Sequence, residues 1–167
     1  MTKNTLVLGL GNILLRDEGV GVRVIERLQQ GYQFPEEVLV LDGGTLGLDL
    51  LGYVEDAERL LIVDALELDA APGTVARLEG DEVPAYLSIK VSPHQVGVAD
   101  VLAAARLTGC CPQELVLWGV QPGVIEPGLD LSPPVAAQVE ALADRGLAEL
   151  TKWDISFTRK LDQQEGR

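Results

Sequence analysis

Three side chains in the sequence could bind a divalent metal ion together. Glu18 follows a glycine-rich stretch, Asp64 directly follows an apolar segment, and His94 is the only histidine of the chain. Two carboxylates and one imidazole can hold a transition metal and leave coordination positions open. Such a site can also activate a water for peptide hydrolysis, so the three residues predict a hydrolytic metal site.

The residues around His94 favour a neutral imidazole. Ser92-Pro93-His94-Gln95 fits a capping box, with Ser92 as the N-cap and Gln95 three residues later. The positive end of the helix dipole disfavours an imidazolium there, and only a neutral ring binds metal. Two alternatives stay open. A solitary histidine can be structural, and an acid at a strand end such as Asp64 can cap a turn.

The glycine-rich loop at residues 9–19 raises the alternative of a dinucleotide-binding site. That motif is G-x-G-x-x-G, and Leu14 stands where the third glycine is required. Asp42 could mimic the ribose-binding acid, but Asp17 and Glu18 would repel a pyrophosphate. We therefore expect no nucleotide cofactor. On the simpler alternative, the glycines make a tight turn and one of the two acids favours the N-terminus of the next helix.

The three candidate ligands must be positioned by alternating strands and helices. Apolar segments predict strands at residues 5–9, 38–41, 59–63, 74–78 (an edge strand) and 115–120. Helical patterns cover residues 20–30, 45–53 with Thr45 as a cap, 92–107 and 132–150. This alternation predicts a single-domain α/β fold with a mostly parallel, twisted sheet of about five strands and helices on both faces. Ligands bind beyond the carboxyl ends of such strands.

Length and composition limit the classes of partner. The chain has 167 residues, 47% of them hydrophobic, which suits one domain at residues 1–151 followed by a polar tail at 152–167. A net charge of −13 disfavours nucleic acid and suits a basic peptide or a metal cation.

Adjacent Cys110 and Cys111 indicate a reducing compartment. Without a signal peptide or a long apolar run, the sequence predicts a cytoplasmic protein that does not enter a membrane.

Four motifs together resemble one protein family. They are GLGNILLRDEGVG at residues 9–21, LDGGT at 41–45, IVDA at 62–65 and SPHQ at 92–95. In this order and spacing they are similar to the hydrogenase maturation endopeptidases, and the resemblance extends over about residues 6–150. The sequence lacks the G-x-S-x-G motif of serine hydrolases, and neither cysteine is clearly placed beside His94, so hydrolysis would depend on carboxylates, water or metal.

The resemblance implies a substrate and a role for each motif. Proteases of this family remove a short C-terminal extension from the precursor of the nickel-iron hydrogenase large subunit after nickel has entered it, and they cut after a basic residue. They are formally grouped with the aspartic-type endopeptidases and activate the hydrogenase. The resemblance implies that Glu18, Asp64 and His94 bind the nickel of the substrate, with Glu18 and Asp64 as catalytic residues. It assigns substrate recognition to four residues: Asp42, Gly43, Gly44 and Thr45. We expect a monomer.

The chemical step is left open between two routes. One carboxylate could act as a general base on a water, or the nickel could polarise the scissile carbonyl. Two other classes of protein compete with the protease. A nickel-sensing chaperone would bind the precursor without cutting it, and a nucleotide-binding domain would be stabilised by NAD or ATP rather than by nickel.

Overall fold

The computed structural model describes residues 4–89 and 93–160, without the side chains of residues 88, 89 and 93–96. Its strands are β1 Thr5–Leu10, β2 Tyr32–Gln33, β3 Val38–Gly44, β4 Arg59–Ala65, β5 Val75–Glu79, β6 Glu114–Val120 and β7 Thr158–Arg159. Its α-helices are α1 Val20–Gly31, α2 Leu51–Asp56, α3 Glu82–Ile89, α4 Pro93–Leu107, α5 Pro133–Ala136 and α6 Val139–Lys152. Two 3-10 helices span Arg16–Gly19 and Gly47–Leu50.

A five-stranded sheet with the order β3-β1-β4-β6-β5 forms the centre of the fold. β3, β1, β4 and β6 are parallel, and β5 pairs antiparallel with β6 at one edge. From β1 the chain first goes to β3 on one side and then to β4 on the other. The topological switch point therefore lies between β1 and β4, where ligands bind in doubly wound sheets. The predicted α/β class, the parallel sheet and the edge strand are confirmed.

Alternate residues of each strand enter two separate cores. Val7 and Leu61 pack on one face with α1 and α6, while Leu6 and Leu60 pack on the opposite face with α2, α3 and α4. Strand side chains alternate between faces, and both faces are covered, so β1 and β4 are apolar at successive positions. Burial of each aliphatic side chain stabilises the fold by about 1.5–3 kcal/mol. This packing on both faces of the sheet fixes the positions of the strand ends at the carboxyl edge.

Two local predictions were wrong, and one helix was missed. Thr45 does not cap a helix: Gly44 and Gly47 both have positive φ, so the chain turns twice before the 3-10 helix, whose N-cap is Leu46. The final helix is divided into α5 and α6, because Gln138 N–H donates to the Val135 carbonyl three residues back and tightens the turn. Helix α3 was not predicted at all.

The polar tail begins with residues that pack on the sheet. Trp153 and Ile155 are buried in the same core as α1 and α6, and β7 pairs with β2. Phe157 lies edge-on to Tyr32, with ring centroids 5.8 Å apart. The packed structure therefore extends at least to Ile155, while residues 161–167 of the tail lie outside the described residues.

The described helices are short and amphipathic or buried. The longest, α4, has 15 residues, and none of the described helices is long and apolar enough to span a membrane. Beyond α4, Cys110 and Cys111 are free thiols, as their adjacency predicts.

Gly21 brings α1 into direct contact with the two strands that flank the switch point. A Cβ atom on Gly21 would lie 2.2 Å from the Val63 carbonyl oxygen and 2.5 Å from that of Leu10. Overpacking costs about 1–3 kcal/mol, more than the roughly 1 kcal/mol that alanine gains over glycine in a helix. We expect Gly21→Ala to lower the free energy of unfolding in urea by about 2 kcal/mol.

Gly52 in α2 is the matched control, because nothing lies within 4 Å of a Cβ placed there. Gly52→Ala should leave the free energy of unfolding unchanged or raise it by up to about 1 kcal/mol. Equal urea midpoints for Gly21→Ala and the unmodified protein would show that α1 does not approach β1 and β4 this closely.

Candidate active site

The two predicted carboxylates lie at the same edge of the sheet. Glu18 belongs to the 3-10 helix Arg16–Gly19 that follows β1, and Asp64 is the last residue but one of β4. β1 and β4 are neighbours, and the 3-10 helix contacts β4. The structure thus brings both acids to the topological switch point, where the order of the motifs predicts a ligand site.

Glu18 is held by close backbone packing in the glycine-rich loop. A Cβ on Gly11 would lie 1.8 Å from the Glu18 carbonyl oxygen, and Gly11 has a φ of +118°. A Cβ on Gly19 would lie 2.6 Å from the Ile13 Cα. Both positions need glycine so that the loop can fold onto itself. The loop presents Glu18 with a relative exposure of 9%.

Asp64 is fully buried at the end of a central strand. Its residue exposure is 0%, and its Oδ1 accepts a hydrogen bond from the Ala65 N–H at 2.8 Å. Burial of a carboxylate is costly, and such groups are retained where they bind a ligand, a metal or a proton. The position of Asp64 beside the 3-10 helix of Glu18 therefore suits a functional acid.

Asp17 has a role that the sequence did not predict. Its carboxylate accepts four hydrogen bonds from a distant loop, donated by the Gly123, Val124 and Ser132 N–H groups and by the Ser132 hydroxyl. Burial acts to raise the pKa of Asp17, but these hydrogen bonds outweigh it and hold the pKa below its ordinary value. Asp17 does not cap α1, whose N-cap is Gly19 without a side-chain hydrogen bond.

Residues 121–132 form a segment that we call the clamp loop, because it is fastened to the 3-10 helix of Glu18. Arg16 Nε donates to the Asp130 carbonyl at 2.8 Å, and Arg16 Nη1 pairs with Glu126 at 3.0 Å. Arg23 Nη2 donates to the Leu129 carbonyl at 3.2 Å. A long surface loop is thereby held in one position beside the carboxyl edge.

An open groove connects the first two sequence motifs. It has a volume of about 280 Å³ and is lined by Gly11, Asn12, Ile13, Leu14, Val22, Asp42, Gly44 and Thr45. Asp42 and Thr45 are exposed, whereas Gly43 is buried against Leu8. The Gly11 N–H donates to the Gly44 carbonyl at 3.0 Å and joins the two walls. Three of the four predicted recognition residues therefore face one groove, and Gly43 supports it from below.

His94 lies in the first turn of α4, and its side chain lies outside the described residues. One turn further on, a Cβ on Gly97 would lie 3.1 Å from the Gly47 Cα, so the start of α4 packs beside the chain that follows the groove. Among the described side chains, no three His, Cys, Asp or Glu residues form a metal-binding group. Metal binding by Glu18, Asp64 and His94 stays a prediction, as does capping by Ser92.

The fold and the site define a class of protein: a doubly wound α/β domain with two buried acids at its switch point and an open groove beside them. The family model described as HycI, hydrogenase maturation protease, matches residues 22–149. The hydrogenase 2 maturation protease of Escherichia coli K12 is 49% identical over 146 residues, which cover 87% of this chain and 89% of that protein. The chain therefore belongs to the hydrogenase maturation protease family, whose members are peptidases.

Solved structures and a second relative agree with this assignment. The hydrogenase maturating endopeptidase HybD from Escherichia coli superposes with a TM-score of 0.91 at 46% identity, covering 94% of this chain and 98% of that one. The [NiFe] hydrogenase maturation protease HybD from Thermococcus kodakarensis gives 0.72 at 27% identity, covering 87% and 98%. The hydrogenase expression/formation protein HupD of Rhodobacter capsulatus is 43% identical over 159 residues, 94% of this chain and 76% of that protein.

Proposed function

We propose that this protein is an endopeptidase that removes the C-terminal extension from the precursor of a [NiFe]-hydrogenase large subunit, and that it recognises the nickel which the precursor carries. The observation that carries the proposal is the pair of buried acids, Glu18 and Asp64, at the switch point of a hydrogenase maturation protease fold. The nickel belongs to the substrate and is bound only in passing.

The metal-binding part of the proposal concerns the two acids and His94. Two carboxylates and an imidazole match the ligand preference of a divalent transition metal. Contact with the nickel would test whether the precursor is loaded and would place the scissile peptide beside the acids, which is a proximity effect. The start of α4, where His94 lies, packs near the groove, and this supports its inclusion.

Substrate recognition is proposed for Asp42, Gly43, Gly44 and Thr45. Asp42 exposes a carboxylate in the groove, which suits the basic residue that the family resemblance places before the cut. The flanking glycines leave room for a peptide backbone to approach. The net charge of −13 also favours a basic segment at long range.

Hydrolysis follows one of two routes at this edge of the sheet. Glu18 or Asp64 takes a proton from a water that attacks the scissile carbonyl, or the nickel of the precursor polarises that carbonyl for attack by water. In either route the peptide C–N bond breaks and the departing amine gains the proton that the water has lost. In both routes the burial of the acids strengthens their electrostatic effect on the reacting atoms. We propose that the protein works in the cytoplasm as a monomer, without a nucleotide cofactor and without binding nucleic acid or a membrane.

Intact-mass spectrometry of the precursor tests the proposal. The nickel-loaded and nickel-free precursors are each incubated with the protein, and we expect loss of a C-terminal peptide from the loaded form alone. Cleavage of both forms would contradict nickel recognition. A loaded precursor that binds the protein and keeps its full mass would identify a chaperone instead of a protease.

A further inference from the structure

We propose that Asp17 is a positioning residue, whose buried carboxylate ties the 3-10 helix of Glu18 to the clamp loop and thereby fixes where Glu18 stands relative to Asp64. This inference rests on the proposed function of Glu18. Asp17 itself touches no reacting atom, and it acts through its neighbour in sequence.

The hydrogen bonds of Asp17 all reach one short region of the chain. Oδ1 accepts from Ser132 N–H at 2.7 Å, and Oδ2 accepts from Gly123 N–H at 2.8 Å, Val124 N–H at 2.8 Å and the Ser132 hydroxyl at 2.6 Å. Asp17 has a relative exposure of 0%, so water cannot replace these donors. Four donors on one carboxylate define its position and orientation much more tightly than a surface ion pair does.

Backbone hydrogen bonds also join the 3-10 helix of Glu18 and the residues before it to the clamp loop. The Asp17 N–H donates to the Val124 carbonyl at 3.1 Å, and the Arg16 N–H donates to the Gly128 carbonyl at 3.1 Å. In return, the Gly128 N–H donates to the Leu14 carbonyl at 2.9 Å. The 3-10 helix is therefore anchored before Glu18 by both main-chain and side-chain contacts.

The backbone of Arg16 has an unfavourable conformation, which these contacts maintain. Its φ is +52°, a left-handed conformation that costs a non-glycine residue about 1–2 kcal/mol. The contacts of its guanidinium with Asp130 and Glu126 offset that cost. Strain of this kind is retained where a precise backbone path matters, and here the path leads within two residues to Glu18.

The geometry of a 3-10 helix converts the anchoring of Asp17 into an orientation for Glu18. With three residues per turn, successive side chains point about 120° apart. Because the Asp17 side chain is fixed on the clamp loop, the direction of Glu18 is fixed as well. A loose Asp17 would let Glu18 move relative to Asp64, and a displacement of about 1 Å can cost about 100-fold in rate.

The test separates the catalytic step from substrate binding with Asp17→Asn, which keeps the shape but replaces one acceptor oxygen by a donor. We expect the single-turnover rate of precursor processing to fall about 100-fold, while the Kd for the nickel-free precursor, which offers Glu18 no metal, changes less than about threefold. In Ser132→Ala, which removes only the hydroxyl donor, the single-turnover rate should fall about tenfold. Circular dichroism and urea unfolding give the folded fraction of each variant, and rates are compared per folded molecule.

Glu140→Gln is the control, since Glu140 is an exposed carboxylate that pairs with Arg27 away from the site. Its rate should stay within about twofold of the unmodified protein. If Asp17→Asn does not fold, Ser132→Ala carries the test. A folded Asp17→Asn or Ser132→Ala with the unmodified rate overturns the inference.

Glu18→Gln in the same assay separates the inference from the proposed function. Full activity of Glu18→Gln would overturn the catalytic role of Glu18 and, with it, the reason for positioning. An inactive Glu18→Gln beside a fully active, folded Asp17→Asn would overturn the positioning role alone. Slow turnover in both, with precursor binding retained, supports both statements.

Discussion

Asp64→Asn should reduce the processing rate of a nickel-loaded precursor at least about 100-fold while the fold is retained. Asparagine has almost the same shape as aspartate, so β4 and its neighbours need not move. What is lost is a charged oxygen at the switch point, which either takes a proton from water or binds the nickel. Either proposed role of Asp64 needs that oxygen, so a loss is expected whether this residue acts as the general base or as a nickel ligand. The measurement is the rate of C-terminal peptide release by mass spectrometry.

Asp69→Asn provides the same chemical change five residues further along the chain. Asp69 is exposed and has a φ of +53°, a conformation that asparagine adopts readily. The processing rate of Asp69→Asn should stay within about twofold of the rate of the unmodified protein. Unchanged processing by a folded Asp64→Asn would refute an essential Asp64 and would place the chemistry on Glu18 or on the nickel alone.

The effect of Asp64→Asn on precursor binding distinguishes the two roles of this acid. If Asp64 binds nickel, the variant should also lose its preference for the loaded precursor. If Asp64 is only the general base, the preference should remain and the rate alone should fall. A pull-down with loaded and nickel-free precursor measures this preference directly.

The framework around these acids was predictable because its information is local. Continuous apolar segments mark strands that are buried on both faces, and the alternation with helices leaves few sheet topologies. Asp64 lies at the carboxyl end of β4 and Glu18 in the connection after β1, so the sheet order alone brings both acids to the same edge. The glycines of the first motif also signalled a tight loop, although their spacing could not show that Gly11 packs on the Glu18 carbonyl.

The contacts of Asp17 could not be predicted, because its donors lie 106 to 115 residues away in the chain. A second acid beside Glu18 suggested a helix N-terminus, which is the usual local explanation. The clamp loop, by contrast, contains glycines and prolines that indicate only a turn-rich connection. Nothing in either segment alone indicates that the other is its partner.

Two other features that were not predicted from the sequence had signals that were present but weak. Helix α3 contains Pro84 in its first turn, where proline is tolerated, yet a proline in so short a segment argues against a helix. In the tail, Trp153, Ile155 and Phe157 alternate with polar residues, which is the pattern of a half-buried extended segment. The polar composition of the remaining tail concealed it.

The second large effect concerns stability, because Arg77 compensates a buried carboxylate on the opposite side of the sheet from α4. Glu149 in α6 has a relative exposure of 2% and accepts hydrogen bonds from Arg77 Nε at 2.6 Å and Nη2 at 3.2 Å. Trp118 Nε1 donates to it at 3.3 Å, and Lys152 Nζ lies 3.6 Å away. The pair connects edge strand β5 to the final helix.

Removing one partner of such a pair leaves a buried charge without compensation, which costs about 3–5 kcal/mol. Lys152 and Trp118 remain near Glu149, so we expect Arg77→Met to lower the free energy of unfolding at pH 7 by about 2–3 kcal/mol. The double variant Arg77→Met, Glu149→Gln should recover most of this loss. Its neutral amide no longer needs the guanidinium and still accepts a hydrogen bond from Trp118. Urea unfolding of the four proteins gives the coupling energy between the two residues.

The pH dependence of the unfolding free energy shows whether the charge of Arg77 causes the loss of stability in Arg77→Met. Burial acts to raise the pKa of Glu149, but the hydrogen bonds and charge of Arg77, with smaller contributions from Lys152 and Trp118, hold the pKa below its ordinary value of 4.5. A lowered carboxyl pKa gives stability that is present above pH 4.5 and is lost as the pH falls through the folded-state pKa. In Arg77→Met this contribution is missing, so its deficit in unfolding free energy should be largest at neutral pH and should shrink below pH 4.5. A deficit that stays constant from pH 7 to the acid limit would show that Arg77 stabilises the protein through the packing of its aliphatic stem on β5 and not through its charge.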